Sequence, residues 1–337
     1  MSALPQISIC IPTFNRCERL RQVLAILLSS EFPNFEIVVS DDASPDATWE
    51  TLQRFDDSRV RAARQERNLG MKGNWNAVVR MARAPLILRL DDDDYIAPQF
   101  LGRMVDLFQR HPEVQSAYTG YAYTRGYDFF PEFEVVDRGV FADSSIVEGH
   151  ELIRRYLLQN PFPGIHPSSV VFRAEAGAEA EWYRDDFNDH TFALALAACG
   201  RVGYVPEVLF FYVQHNEPRV SNAGNSEVLS QICSYDPLDA WKTVYESSFN
   251  RLRELPEIQD IKDAVRQKHL RLYPCIQFYT VRNNYRRHSF VVRSFYWMAQ
   301  RYPRIARDPM VWSALLVMLL PMSVVRQVMR WYRNRAG

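Results

Sequence analysis

Three short apolar runs near the start of the chain each end in polar or acidic residues, and helical stretches separate them. Ile7 to Ile11 leads through Pro12 to Thr13-Phe14-Asn15-Arg16. Phe35 to Val39 leads to Ser40-Asp41-Asp42-Ala43-Ser44, and Leu86 to Leu88 leads through Arg89-Leu90 to four consecutive aspartates, Asp91 to Asp94. Apolar runs of this length without polar alternation read as strands buried on both faces, as in a parallel sheet. The intervening stretches carry helical spacing, with Leu20, Val23, Leu24, Leu27 and Leu28 on one stripe. Strand–helix alternation of this kind predicts an α/β fold, in which ligands bind beyond the carboxyl ends of the strands. Three polar clusters at three such ends therefore point to one cleft.

The four aspartates carry the most chemistry. Adjacent carboxylates repel, and burying one without a partner is costly. A hard divalent cation such as Mg²⁺ or Mn²⁺ relieves both penalties and prefers carboxylate oxygen. In an extended segment, Asp91 and Asp93 would face one side and Asp92 and Asp94 the other. A solvated acidic loop that caps the helix from Pro98 is the plainer alternative.

The remaining pattern predicts a capping box at Asn15 and Glu18, and a helix from Asp46 through Phe55. A weaker strand is expected at Arg59 to Ala63, a helix from Gly73 to Ala82, and another from Pro98 to Arg110. Val114 to Thr124 and Ser168 to Phe172 read as strands, Glu151 to Gln159 and Thr191 to Cys199 as helices. Val202 to Pro206 and Val208 to Val213 read as two short strands. A boundary is expected near residues 222 to 228, giving one domain over 1–222 and a helical region over 223–337.

Composition narrows the function. The chain has 40 basic and 40 acidic residues in 337, so no global charge invites nucleic acid. Its five cysteines form no C-x-x-C pair, which argues against zinc and against a disulfide framework and suits a reducing compartment. The glycine fingerprints of dinucleotide and P-loop sites are absent. Only Met1 to Gln6 precede the first strand, so no signal peptide is expected. From Arg282 onward Asp308 is the only acid among many arginines, and the apolar stretch 311–325 is short for a bilayer span. Residues 311–335 are therefore expected to lie at an anionic membrane surface, with a buried core helix as the alternative.

Taken together, Ile11-Pro12-Thr13-Phe14-Asn15, Val38 to Ser44, Asn68-Leu69-Gly70, Leu90 to Asp94, Pro167 to Arg173 and Phe210 to His215 resemble the family 2 glycosyltransferases. That resemblance implies the GT-A fold, a Rossmann-like and mostly parallel sheet flanked by helices. It implies an inverting transfer from a nucleoside-diphosphate sugar to a saccharide or lipid-linked acceptor, with Mn²⁺ or Mg²⁺ as cofactor. By the same resemblance, Thr13 and Asp42 hold the base and ribose, with Pro12 and Asn15 beside them. Asn68 and Gly70 shape the loop over the nucleotide, and Arg67 or Lys72 lies near the diphosphate. Asp91 and Asp93, with Asp92 between them, fit the family's D-x-D at ribose and metal, and His215 reaches the metal or diphosphate. The family's catalytic base usually sits in a Glu-Asp pair before a late helix. Here the pair is Asn188-Asp189, so Asp189 is the candidate, with Asp185 and Asp186 left open. The expected place of work is the cytoplasmic face of the cell membrane, in surface polysaccharide or glycolipid synthesis. A sugar-nucleotide pyrophosphorylase would need a glycine- and lysine-bearing loop after the first strand, which Thr13-Phe14-Asn15-Arg16 is not. A non-catalytic sugar-nucleotide-binding protein is the other alternative.

Overall fold

In the computed structural model, the described residues are 4–124, 134–135, 146–158, 166–183 and 189–213. The chain divides into two compact units, Met1–Arg219 with Thr243–Leu255, and Val220–Lys242 with Pro256–Gly337. All described residues belong to the first. His215, Asp185, Asp186 and the expected helical region over 223–337 lie outside them.

Strands β1 (Ile7–Thr13) and β2 (Phe35–Asp41) are buried at every position, as parallel strands covered on both faces must be. With β3 (Val60–Arg64) and β4 (Leu86–Arg89) they form a parallel block in the order β3-β2-β1-β4. Helix α1 (Cys17–Leu28) buries Leu20, Val23, Leu24 and Leu27, while Leu28 is only half-buried. Helix α2 (Thr48–Gln53) is short, and α3 (Gly70–Arg80) packs on β1 and β2 through Asn74, Trp75, Val78 and Val79. Gly70 has φ of +75° at the mouth of α3, a left-handed backbone that excludes most side chains although the space around it is open.

Beyond β4 the sheet becomes mixed. A short strand β5 (Tyr95–Ile96) precedes α4 (Phe100–Arg110) and the long β6 (Val114–Thr124). The edge pieces β7 (Glu134–Val135) and β8 (Ile146–Glu148) follow, then α5 (Gly149–Leu158), β9 (Val171–Arg173), α6 (Ala174–Glu179), α7 (Asp189–Ala198) and β10 (Arg201–Val213). Antiparallel β9 joins β4 to β6, β6 pairs with β10 in parallel, and β5 closes the edge. The longest ladders are parallel, as expected of the GT-A architecture.

A buried polar network fixes the amino ends of the central strands. Ser8 Oγ donates to Glu36 Oε1 at 2.7 Å, and Glu36 pairs with Arg61 at 2.9 Å. The backbone N–H groups of Arg83 and Ala84, just before β4, donate to Glu36 and Ser8. Two central strands and the entry to a third are thus tied together at the amino edge of the sheet.

Four local expectations change. The capping box at Asn15 is absent, because Asn15 takes a left-handed backbone (φ 56°) and Glu18 turns to Arg21 at 2.6 Å. Asp46 instead accepts the N–H of Cys17 at 3.3 Å and that of Thr48 at 3.1 Å, so one carboxylate serves the starts of α1 and α2. Ser168 lies in a single 3₁₀ turn (Pro167–Ser169) rather than a strand. The two short strands after Cys199 are one strand, β10, whose register slips between Val205 and Val208 around Pro206, a residue without an N–H to give. The aspartate run is a turn rather than an extended segment, with Asp94 N donating to Asp91 O at 3.3 Å.

At Gly149 the first turn of α5 meets the end of α7 backbone to backbone, and a Cβ would overlap the carbonyl oxygens of Ala197 and Gly200. Gly149→Ala should therefore destabilise by about 1–3 kcal/mol. Gly102→Ala in α4, whose Cβ would meet only Phe32 at 3.9 Å, should leave stability unchanged or raise it by about 0.5–1 kcal/mol. Thermal melts of both variants check this.

Candidate active site

Strands β2 and β4 flank β1 on opposite sides, so the chain order reverses there and a crevice opens beyond the carboxyl ends. Thr13 ends β1 and is buried, and its Oγ1 donates to Asp92 Oδ2 at 2.7 Å across that crevice. The backbone is pinned on the other side too. Asp42 N donates to Thr13 O at 3.0 Å, and buried Asn74 of α3 donates to the carbonyls of Thr13 (3.3 Å) and Ser40 (3.0 Å).

Asp42 is buried and accepts the N–H of Leu69 at 2.7 Å, fastening the loop that leads into α3. Burial raises its pKa, against the backbone N–H groups of Leu69 and Gly70, which lower it. On that loop Arg67, Asn68 and Gly70 are exposed, and Asn68 Oδ1 accepts the N–H of Gly70 at 2.9 Å. Lys72 is half-buried in the first turn of α3. Asn15 N donates to Ser44 Oγ at 2.8 Å, which joins the loop after β1 to the loop after β2. Pro12 pairs with Ser40 inside the sheet.

The aspartate turn distributes its four carboxylates among separate partners. The Asp91 and Asp93 side chains reach solvent, at 31% and 21% exposure, whereas Asp92 and Asp94 are buried. The division expected of an extended strand is thus present, produced by a turn. Asp91 accepts from Arg89 and from Ser168 Oγ (2.6 Å). Desolvation raises the Asp91 pKa, but the Arg89 guanidinium and the Ser168 hydroxyl outweigh it and hold the group below the usual range. Asp92 is pushed up to about 7 by desolvation, against the pull of Arg16. Asp94 lies well above the usual range, from desolvation and the neighbouring charges of Asp91 and Asp93, and accepts the N–H of Val213 at 3.0 Å. That bond ties the turn to the end of β10.

Several contributors carried no signal that pattern reading could use. Arg89 is buried at 1% exposure, with its guanidinium 4.3 Å over the Trp75 ring and 5.6 Å from that of Tyr183. Asn76 holds Tyr183 through both backbone groups, and Ser168 arrives from the 3₁₀ turn. Arg16, on the loop before α1, donates to Asp93 and stands 3.5 Å from Asp92. His166 stacks on Phe210 at 4.8 Å beside Tyr121 and Tyr212, and its Nδ1 accepts from Ser168 N at 3.3 Å. Asp189 is the first residue of α7, a helix that packs on the Pro167–Ser169 turn.

Among the described residues no group of three His, Cys, Asp or Glu side chains is placed to hold a metal ion. Asp91 and Asp93 are nonetheless hard oxygen donors open to solvent on one turn. Mg²⁺ commonly takes one or two protein carboxylates and fills its remaining positions with water and substrate phosphate. The residues present fit a site that the substrate completes.

Residues 8–176 match the model of the glycosyl transferase family 2. The chain is 32% identical over 126 residues to the Campylobacter jejuni GalNAc(5)-diNAcBac-PP-undecaprenol beta-1,3-glucosyltransferase, covering 36% of this chain and 38% of that one. It is 26% identical over 136 residues to the Escherichia coli UDP-Glc:alpha-D-GlcNAc-diphosphoundecaprenol beta-1,3-glucosyltransferase WfaP, covering 40% of this chain and 51% of that protein. Among solved structures, S. aureus TarS 1-349 in complex with UDP-GlcNAc aligns with a TM-score of 0.55 at 18% identity, over 83% of this chain and 89% of that one. The mannosyltransferase PcManGT from Pyrobaculum calidifontis, in complex with GDP-Man and Mn²⁺, aligns at 0.53 and 14% identity, over 94% and 88%. These structural likenesses speak to the fold, and the matched sequence stretches span about half or less of the two relatives' lengths. With the family model covering half the chain and the sheet ordered as described, the chain belongs to glycosyl transferase family 2, a family of transferase enzymes, and carries the GT-A fold.

Proposed function

We propose that this chain transfers a sugar from a nucleoside-diphosphate sugar to a saccharide or lipid-linked acceptor, with inversion at the anomeric carbon and with Mn²⁺ or Mg²⁺ as cofactor. The observation that carries the reading is the convergence of Thr13, Asp42 and the Asp91–Asp94 turn on one crevice beside β1. The names of the C. jejuni and E. coli relatives, which act on undecaprenol-linked acceptors, support the acceptor class.

In this reading Thr13, with Pro12 and Asn15 beside it, and Asp42 line the nucleoside end of the cleft. The exposed loop of Arg67, Asn68 and Gly70, with Lys72, borders the diphosphate. Asp92 acts through Thr13, as a buried pin that fixes the cleft floor. Asp91 and Asp93 would hold the divalent cation, with His215 as the further ligand that the family resemblance implies. When bound, the cation supplies positive charge to the departing diphosphate. Asp189 at the start of α7 accepts the proton of the acceptor hydroxyl as it attacks from the opposite face, so a single displacement inverts the anomeric centre. The basic, apolar segment 311–335 would rest on anionic lipid at the inner face of the cell membrane, near a lipid-linked acceptor. Among the described residues no helix is long and apolar enough to cross a membrane.

The reading is tested by incubating the full chain with a panel of sugar nucleotides, Mn²⁺ and mixed acceptors, and identifying the product linkage. Transfer with inversion is expected. Release of pyrophosphate from sugar phosphate and nucleoside triphosphate would instead mark a pyrophosphorylase, and tight binding without turnover a non-catalytic protein.

Three outcomes are specific enough to measure. Asp189→Asn keeps the shape but cannot take a proton, so turnover should fall roughly 10²–10⁴-fold with donor affinity nearly unchanged. Steady-state kinetics should show much smaller losses for Asp185→Asn and Asp186→Asn. Burial places the Asp92 pKa at about 7, above its unfolded value. Its folded state therefore keeps a proton that the unfolded chain releases, so the contribution of Asp92 to stability falls as pH rises from about 4 through 7. With metal chelated, Asp92→Asn should raise the melting temperature at pH 8, and the gain should fade toward pH 4. Removing residues 311–337 should shift the protein from the membrane pellet to the supernatant on fractionation, with donor hydrolysis intact.

A further inference from the structure

Two arginines compensate the aspartate turn, and they are held in different ways. Arg89 is buried, stacked over Trp75 and bonded to Asp91 and Ser168, so it cannot leave without opening the packing between α3 and β4. Arg16 comes from the loop between β1 and α1, and its side chain is 27% exposed. It donates to Asp93, itself 21% exposed, and stands near Asp92. The Arg16–Asp93 pair is part-buried and open to solvent on one side, in contrast with a pair locked under aromatic rings.

A guanidinium and a divalent cation cannot occupy the same side of one carboxylate, because they would meet as like charges at contact distance. We infer that Arg16 is an internal counter-ion that holds Asp93 in the empty enzyme and competes with the divalent cation for it, so that the bare cation binds weakly. The inference rests on the reading above that Asp91 and Asp93 are the cation's carboxylates. The Arg16 guanidinium also eases the repulsion between Asp92 and Asp93 in the absence of substrate, because it stands beside both. An incoming diphosphate offers the displaced guanidinium a new anionic partner and supplies oxygens to the cation at the same time.

The test uses Mn²⁺ alone, with no nucleotide, and follows free Mn²⁺ by its electron paramagnetic resonance signal in the presence of the full chain. Arg16→Met should bind Mn²⁺ at least about fivefold more tightly than the unaltered chain, the lower end of ordinary coupling between sites. Adding Asp93→Asn to the Arg16→Met chain should remove the gain. Equal or weaker binding by Arg16→Met, or a gain that survives Asp93→Asn, would overturn the inference. Should the methionine variant fail to fold, the same titration on Arg16→Gln decides it. The transferase reading is judged separately by sugar transfer, so a failure here leaves it standing.

Discussion

Four carboxylates on one turn can be folded only if each finds its own compensation, and the whole carboxyl edge of the sheet is arranged around that requirement. Asp91 takes Arg89 and Ser168, Asp92 takes Thr13, Asp93 takes Arg16, and Asp94 takes the N–H of Val213. Each partner belongs to a different segment: the end of β4 itself, the 3₁₀ turn, the end of β1, the loop before α1, and the end of β10. The turn thereby fixes the mutual positions of strands far apart in sequence. A cluster that would be repulsive alone becomes the junction of the domain.

The cost of that junction falls unequally. Asp92 and Asp94 are the buried pair, and desolvation raises both. Asp91 and Asp93 keep access to solvent. The buried inner pair fixes the geometry of the turn, and the outer pair remains reachable from solvent. The amino ends of the same strands are built differently. There Ser8, Glu36 and Arg61 pair with each other and with the chain entering β4. The proposed site and the anchoring network thus lie at opposite ends of the sheet.

The aromatic residues serve the junction as well. Trp75 and Tyr183 enclose the Arg89 guanidinium, Phe192 of α7 packs on Tyr183 at 4.2 Å and on Phe172 at 5.4 Å, and Tyr95 stacks on Phe211 at 4.8 Å. A guanidinium over an aromatic face keeps its charge at little desolvation cost relative to an apolar cavity. Arg89 can therefore be almost fully buried and still neutralise Asp91. The helix whose first residue is the proposed base is positioned through the same rings.

The sequence by itself determined the α/β alternation, the strands at Ile7, Phe35 and Leu86, and the polar clusters at their ends. Those features follow from local periodicity, and parallel strands buried on both faces leave a plain apolar trace. It also marked polar clusters at those strand ends and the run Asp91 to Asp94, while the choice of Thr13, Asp42, Asn68 and Gly70 within the clusters came from the family resemblance. Only the tertiary structure decided how those residues are paired. Arg89 reads as one arginine at a strand end until Trp75 and Tyr183 close over it, and Arg16 reads as a helix-start residue until the sheet order brings it to Asp93. The Asn15 cap failed for the same reason, because Asp46 from the next loop reached the helix start while Asn15 was turned toward Ser44. Register, charge pairing and burial depend on strand order, and strand order is set by the packing of the whole sheet rather than by any one segment.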